Sequence, residues 1–126
     1  MELKNKALFK ESCFVGGKWI DSDSGEKIKV DNPANNEIIG EVPKCSTSET
    51  TKAIKEAQDA FPNWRDKTAK ERSIILQKWA RLIEQNVDDL ARIMTLEQGK
   101  PLAEAKGEIL MGVTYIDFYA EEGKRV

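Results

Sequence analysis

The chain has 126 residues, carries 20 Lys and Arg residues against 22 Asp and Glu residues, and contains no histidine, so its formal net charge is −2. This length is that of one small domain or a piece of a larger one. Without histidine the chain lacks the commonest general base and metal ligand, so an independent hydrolase is not expected. The nearly balanced charge offers no basic surface to a nucleic acid or an anionic membrane.

The chain has two cysteines, Cys13 and Cys45. They are too few and too far apart in the sequence to indicate a disulfide scaffold or a CxxC metal site. Cys13 has neither a base nor a helix N-terminus beside it that would activate a nucleophile. We therefore expect two reduced structural thiols in a cytoplasmic protein. The charged N-terminus is unlike a secretory signal, and no apolar run approaches the roughly 20 residues that span a bilayer.

Strand patterns occupy the first third of the chain. Residues 14–15 and 18–20 flank Gly16-Gly17, a pair that accepts the positive φ angles of a tight hairpin turn. A second hairpin is predicted for residues 27–31 and 38–42, which flank a turn rich in Asn and Pro. Because an isolated hairpin is only marginally stable, we expect these strands to pack against other elements.

A first helix is predicted to begin at Ser46, which has capping-box spacing to Glu49. It should stop near Pro62, which has no backbone N–H to donate. Its predicted apolar face consists of Ile54, Ala57, Ala60 and Phe61.

A second helix is predicted after Thr68, which repeats the capping-box spacing with Glu71. Its apolar residues recur at helical intervals and are expected to form a core stripe. They are Ile75, Trp79, Leu82 and Ile83.

Two further helices complete the predicted elements. Asn86 can cap a third helix that ends where Gly99 can adopt the left-handed conformation. Pro101 can open a fourth helix at its first position. The apolar residues are Leu90, Ile93 and Met94 in the third helix, and Leu102, Ala105, Ile109, Gly112 or Val113, Ile116 and Tyr119 in the fourth.

These elements predict an α+β fold that is mainly α, with N-terminal β-hairpins followed by about four helices. We divide the chain into an N-terminal extension (1–12), a β-hairpin region (13–45) and a helical part (46–126). Because this set of elements does not form a familiar closed domain, we expect a fragment of a larger one. There is no GxGxxG fingerprint between a strand and a helix and no Walker A loop.

Four stretches carry patterns that occur together in one known family. They are NPANNEIIGEVP at residues 32–43, the spaced pattern AF..W......ERS.IL.K...LI at 60–83, MTLEQGKPLAEA at 94–105 and FYAEEGKR at 118–125. The chain resembles the N-terminal part of the aldehyde dehydrogenase superfamily, and the last two stretches resemble its succinate-semialdehyde branch. Asn35-Asn36 stands where the family usually has Thr-Gly, which affects only a turn.

The resemblance implies the N-terminal segment of an NAD(P)-dependent succinate-semialdehyde dehydrogenase and part of its α/β Rossmann-like cofactor-binding domain. The family's nucleophilic Cys, water-activating Glu, oxyanion-hole Asn and dinucleotide-binding segment are expected outside this chain. We therefore assign no catalytic or cofactor-binding residue within it, and the chain alone is expected to be inactive without bound NAD or NADP. The intact enzyme would be a cytoplasmic homo-oligomer that acts on a small aldehyde.

Two candidate sites follow from the resemblance. Gly107, Met111 and Tyr115 would face the substrate entrance tunnel, with ordinary core packing as the alternative. Some family members bind a monovalent cation, which here would involve the carboxylate of Glu97 and the backbone carbonyls near Val30 and Asp31. A solvated Glu97 is the alternative.

Two functions remain open from the sequence. One is the oxidation of succinate semialdehyde, or of a similar short aldehyde such as glutarate semialdehyde, by the intact enzyme. The other is a truncated, non-catalytic helical module that associates with itself or with a partner through uncovered apolar faces.

Overall fold

The computed structural model describes residues 2–125 and has the predicted α+β, mainly helical architecture. A short 3₁₀ turn at Lys6–Leu8 precedes two antiparallel hairpins, which form separate two-stranded sheets. The strands are β1 (Cys13–Val15), β2 (Lys18–Ile20), β3 (Lys27–Asp31) and β4 (Ile38–Pro43). The helices are α1 (Thr47–Arg65), α2 (Ala69–Gln85), α3 (Val87–Gln98) and α4 (Leu102–Glu122).

The first hairpin turns at the predicted glycine pair. Val15 pairs with Lys18, so Gly16 and Gly17 alone form the turn, with φ angles of 57° and 77°. Two consecutive positive φ angles match the twist of the flanking strands and are strained for other residues. The tip also approaches α1, because a Cβ at position 16 would lie 2.8 Å from the Glu56 carboxylate.

The second hairpin closes through its Asn-Pro segment, as predicted. The backbone N–H of Asn32 donates to the Glu37 carbonyl at 2.9 Å, and the Asn32 side chain accepts from the Ala34 N–H at 3.0 Å. Asn36 has a φ angle of 60°, which asparagine tolerates better than most residues. β3 contacts α3, and β1 contacts α1, so both hairpins pack against helices.

Both predicted capping boxes are present, and they begin α1 and α2 at the expected residues. The prediction that α1 stops near Pro62 is wrong, since the helix continues to Arg65. The residues around Pro62 are exposed. The carbonyl that loses its intrahelical partner can therefore bind water, which lowers the cost of an internal proline.

The junctions around α3 follow the sequence with two local differences. Gly99 adopts the left-handed conformation (φ 77°) and closes α3 through its N–H to the Thr95 carbonyl at 2.9 Å. Asn86 occupies the N-cap position of α3, but its amide donates to the Leu82 carbonyl of α2 at 2.8 Å instead of capping α3. Pro101 lies one position earlier than predicted, as the N-cap of α4.

The helical layer is held by a seam of small side chains, where α4 packs against α2 and α3. Small residues allow helix backbones to approach closely, so the seam excludes water without large core residues. Its buried members are Ser73, Ala80, Ala91, Ala105, Val113 and Ala120.

The larger apolar residues of α1 and α2 do not form the predicted core faces. Trp79 is 55% exposed, and Ile54 on α1 is 67% exposed. The expectation of a buried stripe is wrong because α2 packs through its small-residue side, which leaves the bulky side outward. Of the predicted α4 face, Ala105 and Val113 are buried, whereas Tyr119 is exposed. The other exposed members of the predicted faces are Ala57, Ala60, Phe61, Ile75, Leu82 and Leu102, and Ile83 is half-buried.

The N-terminal segment is fixed to α3. The buried carboxylate of Asp89 accepts the backbone N–H groups of Lys4 and Asn5 at 3.0 and 2.8 Å, and Leu3 is buried beside it. The division into residues 1–12, 13–45 and 46–126 stays a prediction.

Among residues 2–125, no helix is sufficiently long and apolar to cross a membrane.

The small-residue seam predicts a strong size limit at Ala80, whose exposed fraction is 0%. We expect Ala80→Leu to lower the free energy of unfolding by about 1–3 kcal/mol, because the added atoms must separate α2 from α4. Urea unfolding followed by circular dichroism measures this loss. Ala103→Leu, at an exposed position of α4, is the matched control and should change stability by less than about 0.5 kcal/mol. Equal effects of the two substitutions would contradict the proposed packing.

Candidate functional site

The outward side of α4 carries the three predicted tunnel residues. Gly107, Met111 and Tyr115 are spaced four residues apart, so they share one face of the helix. Met111 is 57% exposed and Tyr115 is 59% exposed, and a Cβ built at Gly107 would meet nothing within 4 Å. More than half of each of these two side chains is therefore uncovered within the described chain, and the face presents a thioether and a phenol.

A separate open groove runs between α2, α3 and α4, with a volume of about 740 Å³. Its walls are mainly apolar and include Trp79, Ile109 and Ile116. Met111 and Tyr115 are not among its lining residues. The face of α4 that carries Met111 and Tyr115 is thus distinct from the groove.

The predicted cation residues lie on adjacent segments. Val30 and Asp31 end β3, which contacts α3, and Glu97 is in the last turn of α3. A Cβ at Gly99 would lie 3.0 Å from the Pro33 ring, so the end of α3 abuts the turn after β3. Glu97 itself is exposed and lines the groove between α2, α3 and α4. Among residues 2–125, His, Cys, Asp and Glu side chains form no group of three or more suited to a metal ion.

A cluster of polar groups joins the first hairpin to the start of α1. The Glu49 carboxylate accepts the backbone N–H of Asp23 at 2.8 Å and that of Ser46 at 2.9 Å. It also accepts the Ser46 hydroxyl and the Ser48 hydroxyl. These bonds favour the ionised form, with the Ser46 hydroxyl contributing most, and they lower the pKa of Glu49 to about 2.

The two cysteines meet in the same region. The Sγ atoms of Cys13 and Cys45 are 3.7 Å apart, and both residues are half-buried. Burial raises the pKa of the Cys45 thiol, and the contact with Cys13 and the negative charges of Glu49 and Asp23 act in the same direction. The sequence alone does not predict this pair, because 32 residues separate the two positions. No local pattern brings the start of a hairpin to the residue before a helix cap.

The arrangement of two hairpins and four helices is that found at the N-terminal end of aldehyde dehydrogenases. The profile of the Aldehyde dehydrogenase family matches residues 19–126. The chain therefore belongs to the aldehyde dehydrogenase family.

Individual relatives are similar in sequence to this chain over its whole length. It is 54% identical to a glutarate-semialdehyde dehydrogenase of Pseudomonas putida and 52% identical to an NADP(+) succinate-semialdehyde dehydrogenase of Escherichia coli, in each case over 100% of this chain and 26% of the relative. The crystal structure of succinate-semialdehyde dehydrogenase from Burkholderia pseudomallei superimposes with a TM-score of 0.97 at 49% identity, over 100% of this chain and 26% of that one. The chain thus spans about a quarter of the length of these relatives.

The contacts of Glu49 predict a specific dependence of stability on pH. Because its folded-state pKa of about 2 lies below the ordinary value of 4.5, the carboxylate stabilises the fold above about pH 4.5. This contribution is lost as the pH falls through about 2. We expect Glu49→Gln to lower the urea midpoint of unfolding at neutral pH. The difference in midpoint between this variant and the parent chain should shrink as the pH is lowered.

Glu71→Gln is the matched control for this experiment. Glu71 occupies the same capping-box position in α2, but its carboxylate bonds only to Thr68 and reaches no other segment. Its substitution should therefore cost less than that of Glu49, which also holds the loop at Asp23. An equal loss in both variants would show that the bond to Asp23 adds nothing.

Proposed function

We propose that this chain is the N-terminal portion of an enzyme that oxidises succinate semialdehyde, or a similar short aldehyde, to the carboxylic acid with NAD or NADP. The observation that carries this proposal is the identity of 54% along all 126 residues to a relative named for such a substrate. Glutarate semialdehyde is one methylene longer than succinate semialdehyde. One methylene in an apolar pocket changes the free energy that discriminates two substrates by only about 1–3 kcal/mol. Either substrate therefore suits the same scaffold.

The exposed apolar faces support a role as part of a larger folded unit. The bulky residues of α1 and α2 are uncovered in the described chain, and a monomeric soluble protein rarely exposes large contiguous apolar surface. In the proposed enzyme, the remainder of the cofactor-binding domain covers these faces. The nucleophilic Cys and the water-activating Glu then lie outside this chain, and the protein is a cytoplasmic homo-oligomer.

The cofactor is also assigned to the remainder of the enzyme. NAD or NADP accepts the hydride from the aldehyde carbon when it is bound. Residues 2–125 form two antiparallel hairpins and no parallel βαβ unit, so they do not fit a dinucleotide site of the Rossmann type. We assign no reaction step that involves NAD(P) to residues of this chain.

The contribution that we propose for this chain is one wall of the substrate entrance tunnel. The support is the exposed face formed by Gly107, Met111 and Tyr115, where the glycine leaves space and the two side chains supply apolar contacts. A short aliphatic aldehyde passing this face would be contacted by the thioether and the ring. Neither side chain carries a charge that would repel its carboxylate.

Steady-state kinetics of the enzyme that contains this chain test both the activity and the tunnel. We expect oxidation of succinate semialdehyde with formation of NADH or NADPH, and a KM about tenfold higher in Met111→Ala and Tyr115→Ala, because an apolar contact with the substrate is lost. Leu110→Ala, on another face of α4, is the control and should leave KM unchanged. Normal turnover with unchanged KM in all three variants would reject the tunnel role but not the proposed activity. Absence of turnover in the parent enzyme would reject the activity.

The alternative function is a non-catalytic helical module that associates through the same apolar faces. The observation that favours it is the exposure of large apolar side chains on α1, α2 and α4. This alternative predicts that the natural product has the mass of this chain, shows no turnover and is oligomeric in sedimentation experiments. Turnover by a longer natural product would reject this alternative.

We also propose a monovalent cation site formed by the Glu97 carboxylate and the backbone carbonyls of Val30 and Asp31. The support is the contact between β3 and α3 and the close approach of Gly99 to Pro33. These are hard oxygen donors, which suit such an ion. In the alternative arrangement Glu97 is simply solvated, consistent with its exposed position.

Thermal unfolding in matched chloride salts distinguishes the two arrangements. A bound ion stabilises the folded state in proportion to the logarithm of its concentration. We expect K⁺ or Na⁺ to raise the midpoint by several degrees relative to choline, and Glu97→Gln to abolish the difference. Glu104→Gln, at an exposed position in the first turn of α4, is the control. Equal midpoints in all three salts would support the solvated carboxylate.

A further inference from the structure

We propose that Cys13 and Cys45 form a redox-active thiol pair, which closes to a disulfide by exchange with a low-molecular-weight disulfide of the glutathione class. The disulfide would join the first strand of the first hairpin to the residue that precedes the cap of α1. The proposal rests on the geometry of this chain and is independent of the enzymatic activity proposed above.

The distance between the two sulfurs is the first support. The Sγ atoms are 3.7 Å apart, which is contact distance for two thiols. A covalent S–S bond is about 2 Å long, so closure requires the sulfurs to approach by about 1.7 Å. Rotation of the two side chains supplies part of this movement.

The surroundings of the pair hold both thiols in place. Cys13 begins β1, which pairs with β2 and contacts α1. Cys45 directly precedes Ser46, whose backbone N–H is bonded to Glu49 at 2.9 Å, and Glu49 also holds Asp23 just beyond β2. Glu49 therefore anchors the residue next to Cys45 and the loop three residues beyond Ile20, which is the strand partner of Cys13. Both cysteines are half-buried, which leaves an edge open to a small reagent.

The reaction balances without a metal or a further cofactor. The thiolate of one cysteine attacks a sulfur of the external disulfide, which forms a mixed disulfide and releases one thiolate. The second cysteine, as it loses its proton, attacks the protein sulfur of the mixed disulfide and releases the second thiolate. Two protein thiols are oxidised, one external disulfide is reduced, and the two protons end on the released thiols.

Equilibration with glutathione mixtures tests the proposal directly, because it measures the fraction of chain that holds an internal disulfide. The whole chain is incubated with reduced and oxidised glutathione at fixed ratios, the remaining thiols are alkylated, and the intact mass is recorded. An internal disulfide gives a chain with neither alkyl nor glutathione groups. Since the raised pKa of Cys45 lowers the thiolate fraction, the experiment is read at equilibrium and not from a rate.

The expected result is an internal disulfide with little accumulated mixed disulfide. Tryptic digestion without reduction should then yield residues 11–18 linked to residues 45–52. The effective concentration of one thiol toward the other should be at least tenfold higher in the folded chain than in concentrated urea, where 32 residues separate them. Cys13→Ser and Cys45→Ser are the matched controls, and each should accumulate a single mixed disulfide.

Three results would overturn the proposal. One is accumulation of glutathione on both cysteines without an internal bond. Another is an effective concentration that is equal in the folded and unfolded chain. The third is a disulfide between two chains that persists at low protein concentration, as seen in a non-reducing gel.

Discussion

The close approach of α4 to α2 and α3 is the constraint on which the rest of the structure depends. It is possible because alanine, serine and valine occupy the crossing points, with Ala80, Ala91 and Ala105 fully buried. Helices that meet through such residues gain dispersion contacts along their backbones but bury little apolar area for each side chain. The bulky side chains consequently point away from the seam. This division explains how a stable helical layer and extensive exposed apolar faces coexist in one chain.

Local chemistry made much of the fold predictable. The capping boxes at Ser46 and Thr68, the glycine pair of the first turn and the left-handed Gly99 each act within a few residues, so the sequence around them is sufficient. The orientation of α2 was not predictable in this way. The periodic stripe around Trp79 correctly indicates a helix, but only the tertiary packing decides which side of that helix meets α4.

The candidate sites also differ in whether local sequence or tertiary packing determines them. The spacing of Gly107, Met111 and Tyr115 places them on one face of a helix whatever its surroundings, and the structure has them there. What that face contacts depends on elements that lie elsewhere in the fold of the family. The meeting of Cys13 with Cys45 is the opposite case, because no spacing in the sequence indicates it and only the folded arrangement of β1 and α1 brings it about.

The clamp that Asp89 forms on the N-terminal segment has a consequence for synthesis. Lys4 leaves the ribosome 85 residues before the carboxylate that binds its backbone. At about 5–20 residues per second, the segment waits on the order of ten seconds for its partner. During that interval Leu3 and the neighbouring amides are accessible to chaperones and proteases. This segment is thus made well before the carboxylate that binds it, and α3 must form before the segment is protected.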